Sequence, residues 1–383
     1  MMKPGIYLDN SATTRVDELV LESMLPCFRE NFGNASSVHL FGQEARATAE
    51  AARRSVAELL GADTREIVFT SGGTESDNFA LWGIFRSGYR PGNHIITTKI
   101  EHPAILATCK ALESAGAEIT YIPADSSGRV DPGAIESAIR ETTLLISVMH
   151  ANNETGVIQP VEEISRIARQ HGIVMHTDAV QSIGKIPTEV RALGVDLLSM
   201  SGHKIHGPKG IGVLFVRSGT RIAPFMTGGS HERKRRAGTE NVPGIAGIGA
   251  AARLARERLP EMQSRIAMLR ARLENQAMER IPGGRINGRE PRLPNISNIS
   301  FERLEGEAAV IAMDLEGIAI STGSACSSGS LEPSHVLMAM GLRPEVVQGS
   351  LRFSLCYHNT EPEIDRAIQT LEMVVQRLRK LSK

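Results

Sequence analysis

The sequence His176-Thr177-Asp178-Ala179-Val180-Gln181 follows one short apolar run, and Ser201-Gly202-His203-Lys204 follows the next. Both runs have the length of buried strands, and the segment 161–170 before them shows apolar residues at helical spacing. Strand–helix alternation of this kind predicts a mostly parallel sheet with helices on both faces. In such sheets ligands bind beyond the carboxyl ends of the strands. The sequence therefore places Asp178 and Lys204 where a ligand would bind.

The same alternation extends over most of the chain. Seven apolar runs are predicted strands: 67–70, 94–97, 118–122, 144–149, 173–176, 196–200 and 211–216. From about residue 250 the pattern changes to a long helical stretch, 250–280, in which Pro260 predicts a break. A helix near 305–316 and strands at 296–301, 318–321 and 351–355 are predicted beyond it. We therefore expect an α/β protein with a large domain of residues 15–255 and a smaller α+β domain of residues 1–14 and 256–383.

The composition is that of an ordinary soluble globular protein. Of the 383 residues, 41% are hydrophobic, and 43 Lys and Arg balance 43 Asp and Glu, which argues against a nucleic-acid or membrane partner. The apolar runs are too short to span a bilayer, and the first six residues lack a signal-peptide apolar region. The four cysteines are scattered, with no Cys-x-x-Cys pair. We expect no metal site, and a reducing cytoplasm as the location.

Lys204 and Asp178 match the chemical needs of pyridoxal phosphate (PLP). A lysine amine forms a Schiff base with the PLP aldehyde, and a carboxylate keeps the pyridine nitrogen protonated. The protonated ring then withdraws electrons from the bond that breaks. Either residue alone is weak evidence, because a lysine after a strand is usually a solvated loop residue.

A glycine turn after the strand 67–70 is a candidate phosphate site. Gly72 and Gly73 open a predicted helix, and the free N–H groups at a helix start, with the Thr74 hydroxyl, can bind an anion. The alternative is a plain turn in which Ser71 or Thr74 caps the helix.

Three further residues are candidate contacts, each with an ordinary alternative. Asn153 could donate to the cofactor's phenolic oxygen or to a substrate carboxylate, but paired asparagines before a glycine are common turn formers. His102 has a flat ring that can stack on a pyridine, although a histidine before proline is more often a loop residue. Arg352 is predicted to point away from the apolar face of strand 351–355, where its guanidinium could hold an α-carboxylate. A merely solvated strand face is the alternative.

Cys326 lies in a stretch rich in serine and glycine, Ser321-Thr322-Gly323-Ser324-Ala325-Cys326-Ser327-Ser328-Gly329-Ser330. This composition predicts a mobile, exposed loop, which is a poor place for a structural thiol. Mobility would let Cys326 approach a substrate and carry a group away, if its thiolate is stabilised. An inert surface cysteine is the alternative.

Taken together, the motifs resemble those of the NifS/IscS-type cysteine desulfurases, which are PLP enzymes of fold-type I. The resemblance extends from Tyr7 to about Asn359 and is greatest to the nitrogen-fixation (NifS) branch. Its motifs, in order, are Gly72-Gly73-Thr74-Glu75-Ser76, Glu101-His102, Asn152-Asn153-Glu154, Asp178 with Gln181, Ser201-Gly202-His203-Lys204, Arg236-Ala237-Gly238-Thr239-Glu240-Asn241, Ser324-Ala325-Cys326 and Arg352.

The resemblance implies an enzyme that converts L-cysteine to L-alanine and leaves the sulfur on Cys326 as a persulfide, for iron–sulfur cluster assembly. Lys204 would bind the cofactor and move the Cα proton, and Arg352 would hold the substrate carboxylate. The implied PLP contacts are Gly73, Thr74, Ser201 and His203 at the phosphate, Asn153 and Gln181 at the ring oxygen, His102 on the ring face, Asp178 at the ring nitrogen, and Thr239 reaching the phosphate from a neighbouring subunit. The role of Thr239 implies a homodimer with shared active sites. The second implied partner is an iron–sulfur scaffold or another sulfur-acceptor protein.

Other activities fit parts of the pattern. A selenocysteine lyase shares the cofactor site, but the loop around Cys326 favours a desulfurase, and an aminotransferase would not need that cysteine. A sulfur-relay scaffold without turnover would have no chemical reason to keep Lys204, Asp178, Cys326 and Arg352 together. Cys356 shares the predicted strand face of Arg352, and we expect it to pack near the site without belonging to it.

Two features depart from the pattern of the family. Many relatives have alanine at the position of Gly73, a difference expected to change little because the backbone makes the contact. Relatives with a longer C-terminal tail use it to dock a scaffold, whereas this sequence ends at Lys383, soon after its last predicted helix. The docking position of an acceptor is therefore not implied.

Overall fold

The computed structural model describes residues 5–322 and 333–381. Its strands are β1 (Ile6–Tyr7), β2 (Ile67–Thr70), β3 (His94–Thr98), β4 (Glu118–Ile122), β5 (Thr143–Ser147), β6 (Val174–Asp178), β7 (Leu197–Ser201), β8 (Gly212–Val216), β9 (Gly284–Ile286), β10 (Ile296–Phe301), β11 (Ile318–Ala319) and β12 (Ser350–Ser354). The helices that begin before residue 259 are Glu18–Met24, Pro26–Arg29, Leu40–Leu60, Gly73–Phe85, Pro103–Ser114, Pro132–Ser137, Val161–Gln170, Val190–Leu193, the single turn His231–Lys234 and Val242–Glu257, with 3₁₀ turns at Thr64–Glu66 and Gly202–Lys204. The later helices are Leu259–Glu261, the π-helical Met262–Ile266, Ala267–Arg280, Gly306–Leu315, His335–Ala339, Pro344–Gln348 and Glu361–Leu381.

Seven strands form the central sheet in the order β2-β8-β7-β6-β5-β3-β4. The five strands from β7 to β4 pair in parallel, whereas β8 is antiparallel to both of its neighbours. Nearly all of their residues are buried, as expected when helices cover both faces. The predicted α/β architecture is confirmed, and the ends of the seven predicted strands agree with the observed ends to within two residues.

A smaller antiparallel sheet, β9-β10-β12, and the parallel pair β1-β11 lie in the second part of the chain. Leu8 and Ile6 pack into the apolar cluster formed by these strands and by the helices Ala267–Arg280 and Glu361–Leu381. The N-terminal segment thus joins the C-terminal part through both strand pairing and core packing. The division of the chain between residues 255 and 256 stays a prediction.

The prediction of a helical stretch over residues 250–280 is wrong about where the helix begins and correct about the break at Pro260. The helix begins at Val242 because Asn241 caps it by accepting from the Gly244 N–H, and a proline occupies the first turn. It ends before Pro260, and a short helix and a π-turn lead into Ala267–Arg280.

This topology brings several loops to one edge of the central sheet. Asp178 ends β6, Ser201 ends β7, and the helix Gly73–Phe85 begins shortly after β2 ends. Strands that run in the same direction end at the same edge, so their following loops meet there. Within the described ranges 5–322 and 333–381, none of the helices is long and apolar enough to cross a membrane.

Candidate active site

One pocket at this edge of the sheet collects most of the predicted site residues. Gly73, Thr74, His102, Asn153, Asp178, Gln181, Ser201, His203 and Lys204 all line it. They come from five separated stretches of sequence, so only the fold brings them together. Their individual roles stay predictions.

The glycine turn opens the helix Gly73–Phe85 without a side-chain cap. Gly72 occupies the capping position, and no side chain accepts from the first-turn N–H groups there. The alternative in which Ser71 or Thr74 caps this helix is therefore wrong. The Ser71 N–H instead donates to the Glu75 carboxylate, at 2.7 Å. An uncapped helix start that faces a pocket can accept an anionic group.

Close packing explains the glycines of this turn. A Cβ atom on Gly73 would lie 2.8 Å from Val180 Cγ2 and 3.6 Å from Ser201 Cβ. A Cβ atom on Gly212 in β8 would lie 2.6 Å from the Gly72 main chain. The turn therefore lies directly on β8 and on the loop after β6, and its residues Gly73 and Thr74 line the pocket.

Lys204 ends a 3₁₀ turn that directly follows β7. Its Nζ donates to the Ser11 carbonyl and to the Ala12 carbonyl, the latter at 2.8 Å. Gln181 Nε2 also donates to the Ser11 carbonyl, at 3.0 Å. The next residues of the N-terminal segment are held too, because the Thr14 N–H donates to the His203 carbonyl at 2.9 Å. The N-terminal segment thus fixes the direction in which the Lys204 amine points.

Two buried carboxyl groups lie in the pocket. Asp178 accepts from the Val180 N–H at 2.9 Å. Burial raises the pKa of Asp178, while that N–H and Lys204 lower it. Burial and then Asp178 raise the pKa of Asp77 well above its ordinary value, and Asp77 Oδ1 has no hydrogen-bond partner among the described residues. A cationic group beside Asp178 would stabilise its carboxylate, so this end of the pocket favours a protonated ring nitrogen.

His102 caps the helix Pro103–Ser114 as well as lining the pocket. Its Nδ1 accepts from the Ala104 N–H at 3.1 Å, which leaves the ring proton on Nε2. Burial, then Lys204 and His335, lower the pKa of His102 to about 4. His102 is therefore a neutral, flat ring at physiological pH. His102 is thus both a loop residue before a proline, as the ordinary alternative has it, and a residue of the pocket.

Arg352 lies beside the pocket and is completely buried, so the solvated-face alternative is wrong. Its Nη1 donates to the Asn153 carbonyl at 3.1 Å, and its Nη2 donates to Asp9 Oδ1 at 2.9 Å. Its Nε has no hydrogen-bond partner among the described residues. The turn-forming role falls to Asn152, whose side chain accepts from the Glu154 and Thr155 N–H groups. A buried guanidinium with an unused donor is suited to bind a carboxylate.

Among the residues that the structure describes, two predicted site residues, Thr239 and Arg352, do not line this pocket. Thr239 is exposed and does not line it in the single chain. Cys326 lies outside the described residues. Cys356 is buried and lines a neighbouring cavity instead. Within residues 5–322 and 333–381 there is no cluster of His, Cys, Asp and Glu that could hold a metal ion.

Several site residues were not predicted. The carbonyls of Ser11 and Ala12 that accept from Lys204 are main-chain groups, which leave no trace in residue type. Asp77 lies one helical turn after Gly73. Because residues four apart lie on the same face of a helix, this spacing could have placed Asp77 in the site. Asp9, the ion-pair partner of Arg352, has no periodic pattern that marks it.

The pocket residues fit PLP. The uncapped helix start matches a phosphate, and the buried Asp178 matches a pyridinium nitrogen. The neutral face of His102 matches an aromatic ring, and the Lys204 amine matches an aldehyde. Asp77 Oδ1, which has no hydrogen-bond partner in the part of the chain that the structure describes, is consistent with a pocket that binds a polar group.

The chain matches the family model described as aminotransferase class-V over residues 6–367. It is 50% identical to a cysteine desulfurase IscS of Methanosarcina thermophila, over 99% of this chain and 94% of that protein. A solved structure described as a NifS-like protein superposes with a TM-score of 0.92 at 41% identity, covering 97% of this chain and 100% of the other. A second structure, described as SspA in complex with cysteine, superposes with a TM-score of 0.82 at 37% identity, covering 91% of this chain and 98% of the other.

Proposed function

Because the chain belongs to the class-V aminotransferase family, and within it to the cysteine desulfurases, we propose that it removes sulfur from L-cysteine. The proposal is carried by one observation, the gathering of Lys204, Asp178, His102 and Gln181 in a single pocket. The family depends on PLP, whose protonated ring withdraws electrons from the substrate Cα when the cofactor is bound. The products are L-alanine and a sulfur atom bound to the enzyme.

Asp178 and His102 orient the cofactor ring from two directions. The Asp178 carboxylate would hold the proton of the ring nitrogen, and this ionic contact would offset the cost of its burial. The neutral imidazole of His102 would cover a face of the ring and exclude water from it. Gln181, whose Nε2 donates to the Ser11 carbonyl, would contact the ring oxygen together with Asn153.

The amine of Lys204 moves the Cα proton of the substrate. Its Nζ already lies inside the pocket, where the carbonyls of Ser11 and Ala12 accept from it. The same carbonyls would hold the neutral amine inside the pocket, where it can take up a proton from the substrate. Arg352 binds the substrate carboxylate and so orients the Cα–H bond toward Lys204.

Cys326 accepts the sulfur. Its thiolate attacks the substrate sulfur, so that an S–S bond forms while the C–S bond of the substrate breaks. The electron pair of the C–S bond stays with the substrate carbon, which takes up a proton and becomes the methyl group of alanine. The enzyme is left as a Cys326 persulfide, without any external oxidant or reductant.

A second copy of the chain completes the site. Eight large apolar side chains between residues 19 and 41 are exposed in the single chain; we call them the 19–41 patch, and they are Leu19, Leu21, Leu25, Phe28, Phe32, Val38, Leu40 and Phe41. Ser36, within this segment, and Glu240, next to Thr239, line one surface pocket. The patch and Thr239 therefore share a face, and burial of that face in a homodimer would carry Thr239 toward the partner's pocket.

The persulfide sulfur then passes to an acceptor protein. We place this step in iron–sulfur cluster assembly, including nitrogen-fixation clusters, and in the cytoplasm. The implied role of the family and the wide scatter of the four cysteines in the sequence support this assignment.

Alanine formation tests the proposed function. The purified holoenzyme is incubated with L-cysteine and a thiol reductant, and alanine and sulfide are quantified together. We expect equal amounts of the two products from the wild type and none from Lys204→Ala. Alanine without sulfide, or sulfide without alanine, would contradict the proposal.

A further inference from the structure

Lys185 is a second buried lysine close to Lys204. It lines a cavity that also contacts Lys204 but lies outside the pocket that holds Asp178 and His102. Only 6% of Lys185 is exposed. Its Nζ donates to the main-chain carbonyl of Lys204 at 2.7 Å and to that of Ile183 at 3.3 Å. The ammonium thus joins the loop after β6 to the residue that ends the turn after β7.

No carboxylate among residues 5–322 and 333–381 forms an ion pair with Lys185. The titratable and charged groups that face it or line its cavity are Lys204, His203, His206, Arg258, Cys356 and Tyr357. Asp17 is nearby, but it accepts from both Arg258 and Tyr357. Burial, and then Lys204, lower the pKa of Lys185 to about 7, and Cys356 acts in the opposite direction.

An ammonium in this position is costly to the fold. Two of its three N–H donors have carbonyl partners, but a buried charge without a counterion is less stable than an apolar side chain of similar size. Stability alone therefore gives no reason for a lysine here. The neighbouring Lys204 does give a reason. The Lys185 ammonium donates a hydrogen bond to the Lys204 carbonyl, and its positive charge acts on the Lys204 amine.

The main-chain carbonyls around Lys204 favour its protonated form. The Ser11 and Ala12 carbonyls both accept from Nζ, and accepting groups stabilise an ammonium. Of the titratable groups that interact with Lys204 in the pocket, Asp178 also favours the ammonium. Burial lowers the pKa of His102 and of His203 to about 4 and leaves both neutral. A protonated amine cannot take a proton from the substrate. A positive charge behind Lys204 would oppose this effect and keep the amine neutral.

We propose that Lys185 is a positioning residue for Lys204, which fixes the Lys204 main chain through its carbonyl and opposes protonation of the Lys204 nitrogen through its charge. The inference rests on the proposed function, since it assigns Lys204 the transfer of the Cα proton. It adds a residue from outside the cofactor pocket to the control of that transfer.

The charge is tested in the holoenzyme without substrate. The visible absorbance of the bound cofactor is titrated against pH in the wild type, Lys185→Gln, Lys185→Arg and Lys209→Gln. Lys209 is an exposed lysine five residues after Lys204, so its substitution is the matched control. One charge at roughly 10 Å, with an effective dielectric constant of about 20, shifts a midpoint by about one pH unit.

Because Lys185 is protonated only below about pH 7, we expect Lys185→Gln to raise a midpoint in that range by about this amount, and a midpoint above it by less. Lys185→Arg keeps the charge and should leave the midpoint at or below the wild-type value, and Lys209→Gln should not move it. A Lys185→Gln midpoint equal to that of the wild type, with only a lower melting temperature, would reduce Lys185 to a structural role. If Lys185→Gln does not fold, a raised midpoint in Lys185→Arg overturns the proposal on its own.

The titration is independent of desulfuration. It needs only bound cofactor, whereas the proposed function is judged by alanine and sulfide from the wild type. In a second readout, Lys185→Gln should lower kcat most at low pH while KM for L-cysteine changes little. An equal fall of kcat at every pH would contradict the charge effect.

Discussion

The guanidinium of Arg352 should set the preference of the enzyme for substrates that carry a carboxylate. Arg352 is completely buried, its Nη atoms contact Asn153 and Asp9, and its Nε has no partner among the described residues. A hydrogen bond to a charged group contributes about 1.5–3 kcal/mol, so two such bonds to a substrate carboxylate contribute about 3–6 kcal/mol. Arg352→Gln should therefore lower kcat/KM for L-cysteine by roughly 10²–10⁴.

Cysteamine separates this effect from damage to the fold, because it is cysteine without the carboxylate. Sulfide release is measured with both substrates for the wild type, Arg352→Gln and Arg352→Lys. We expect Arg352→Gln to change kcat/KM for cysteamine little. For L-cysteine, kcat/KM of Arg352→Lys should lie between the values of the wild type and Arg352→Gln, since lysine keeps the charge without the planar fork. An equal loss of kcat/KM with both substrates would refute the assignment and leave Arg352 as the structural partner of Asp9.

Three other predictions concern the surroundings of the site. Cys356→Ala should retain desulfuration, because Cys356 lines a cavity outside the cofactor pocket; complete loss of activity in a folded variant would place the thiol in the reaction. Phe28→Asp combined with Phe41→Asp should elute at the monomer mass and bind PLP more weakly, whereas Met268→Asp, which is as exposed as Phe28, should stay dimeric. Burial lowers the pKa of His150 to about 4, so the unfolded chain binds a proton that the folded chain excludes, and stability is lost as pH falls from about 6.5 toward 4. The free energy of unfolding, measured by chemical denaturation, should fall less steeply with decreasing pH in His150→Gln, by up to about 1.4 kcal/mol per pH unit. The same pH dependence in the variant and the wild type would contradict this prediction.

The central sheet could be predicted because its strands are short, buried on both faces and separated by amphipathic segments. This pattern identifies strands, but it does not encode their direction, so the antiparallel course of β8 was not foreseen. The start of the helix Val242–Glu257 was missed, although Asn241 and Pro243 are ordinary helix-start signals. At that point the capping residues mark the start of the helix better than the apolar pattern does.

The candidate site was predictable where side chains follow strands or repeat a known motif. Asp178 and Lys204 follow β6 and β7 directly, and the fold brings them to one pocket. The carbonyls of Ser11 and Ala12 were not predictable, because any residue supplies a carbonyl. Lys185 was not predictable either, since a lysine in a sequence gives no sign that it is buried.

The central claim is that Cys326 takes the sulfur of L-cysteine, and a single turnover tests it most directly. The holoenzyme and Cys326→Ala are mixed with L-cysteine without reductant, alanine is quantified, and the peptide that contains residue 326 is examined by mass spectrometry. The account predicts alanine and a mass increase of one sulfur atom on the wild-type peptide, and neither product from the variant. Equal alanine from both proteins would contradict it, since sulfur would then leave the substrate without Cys326.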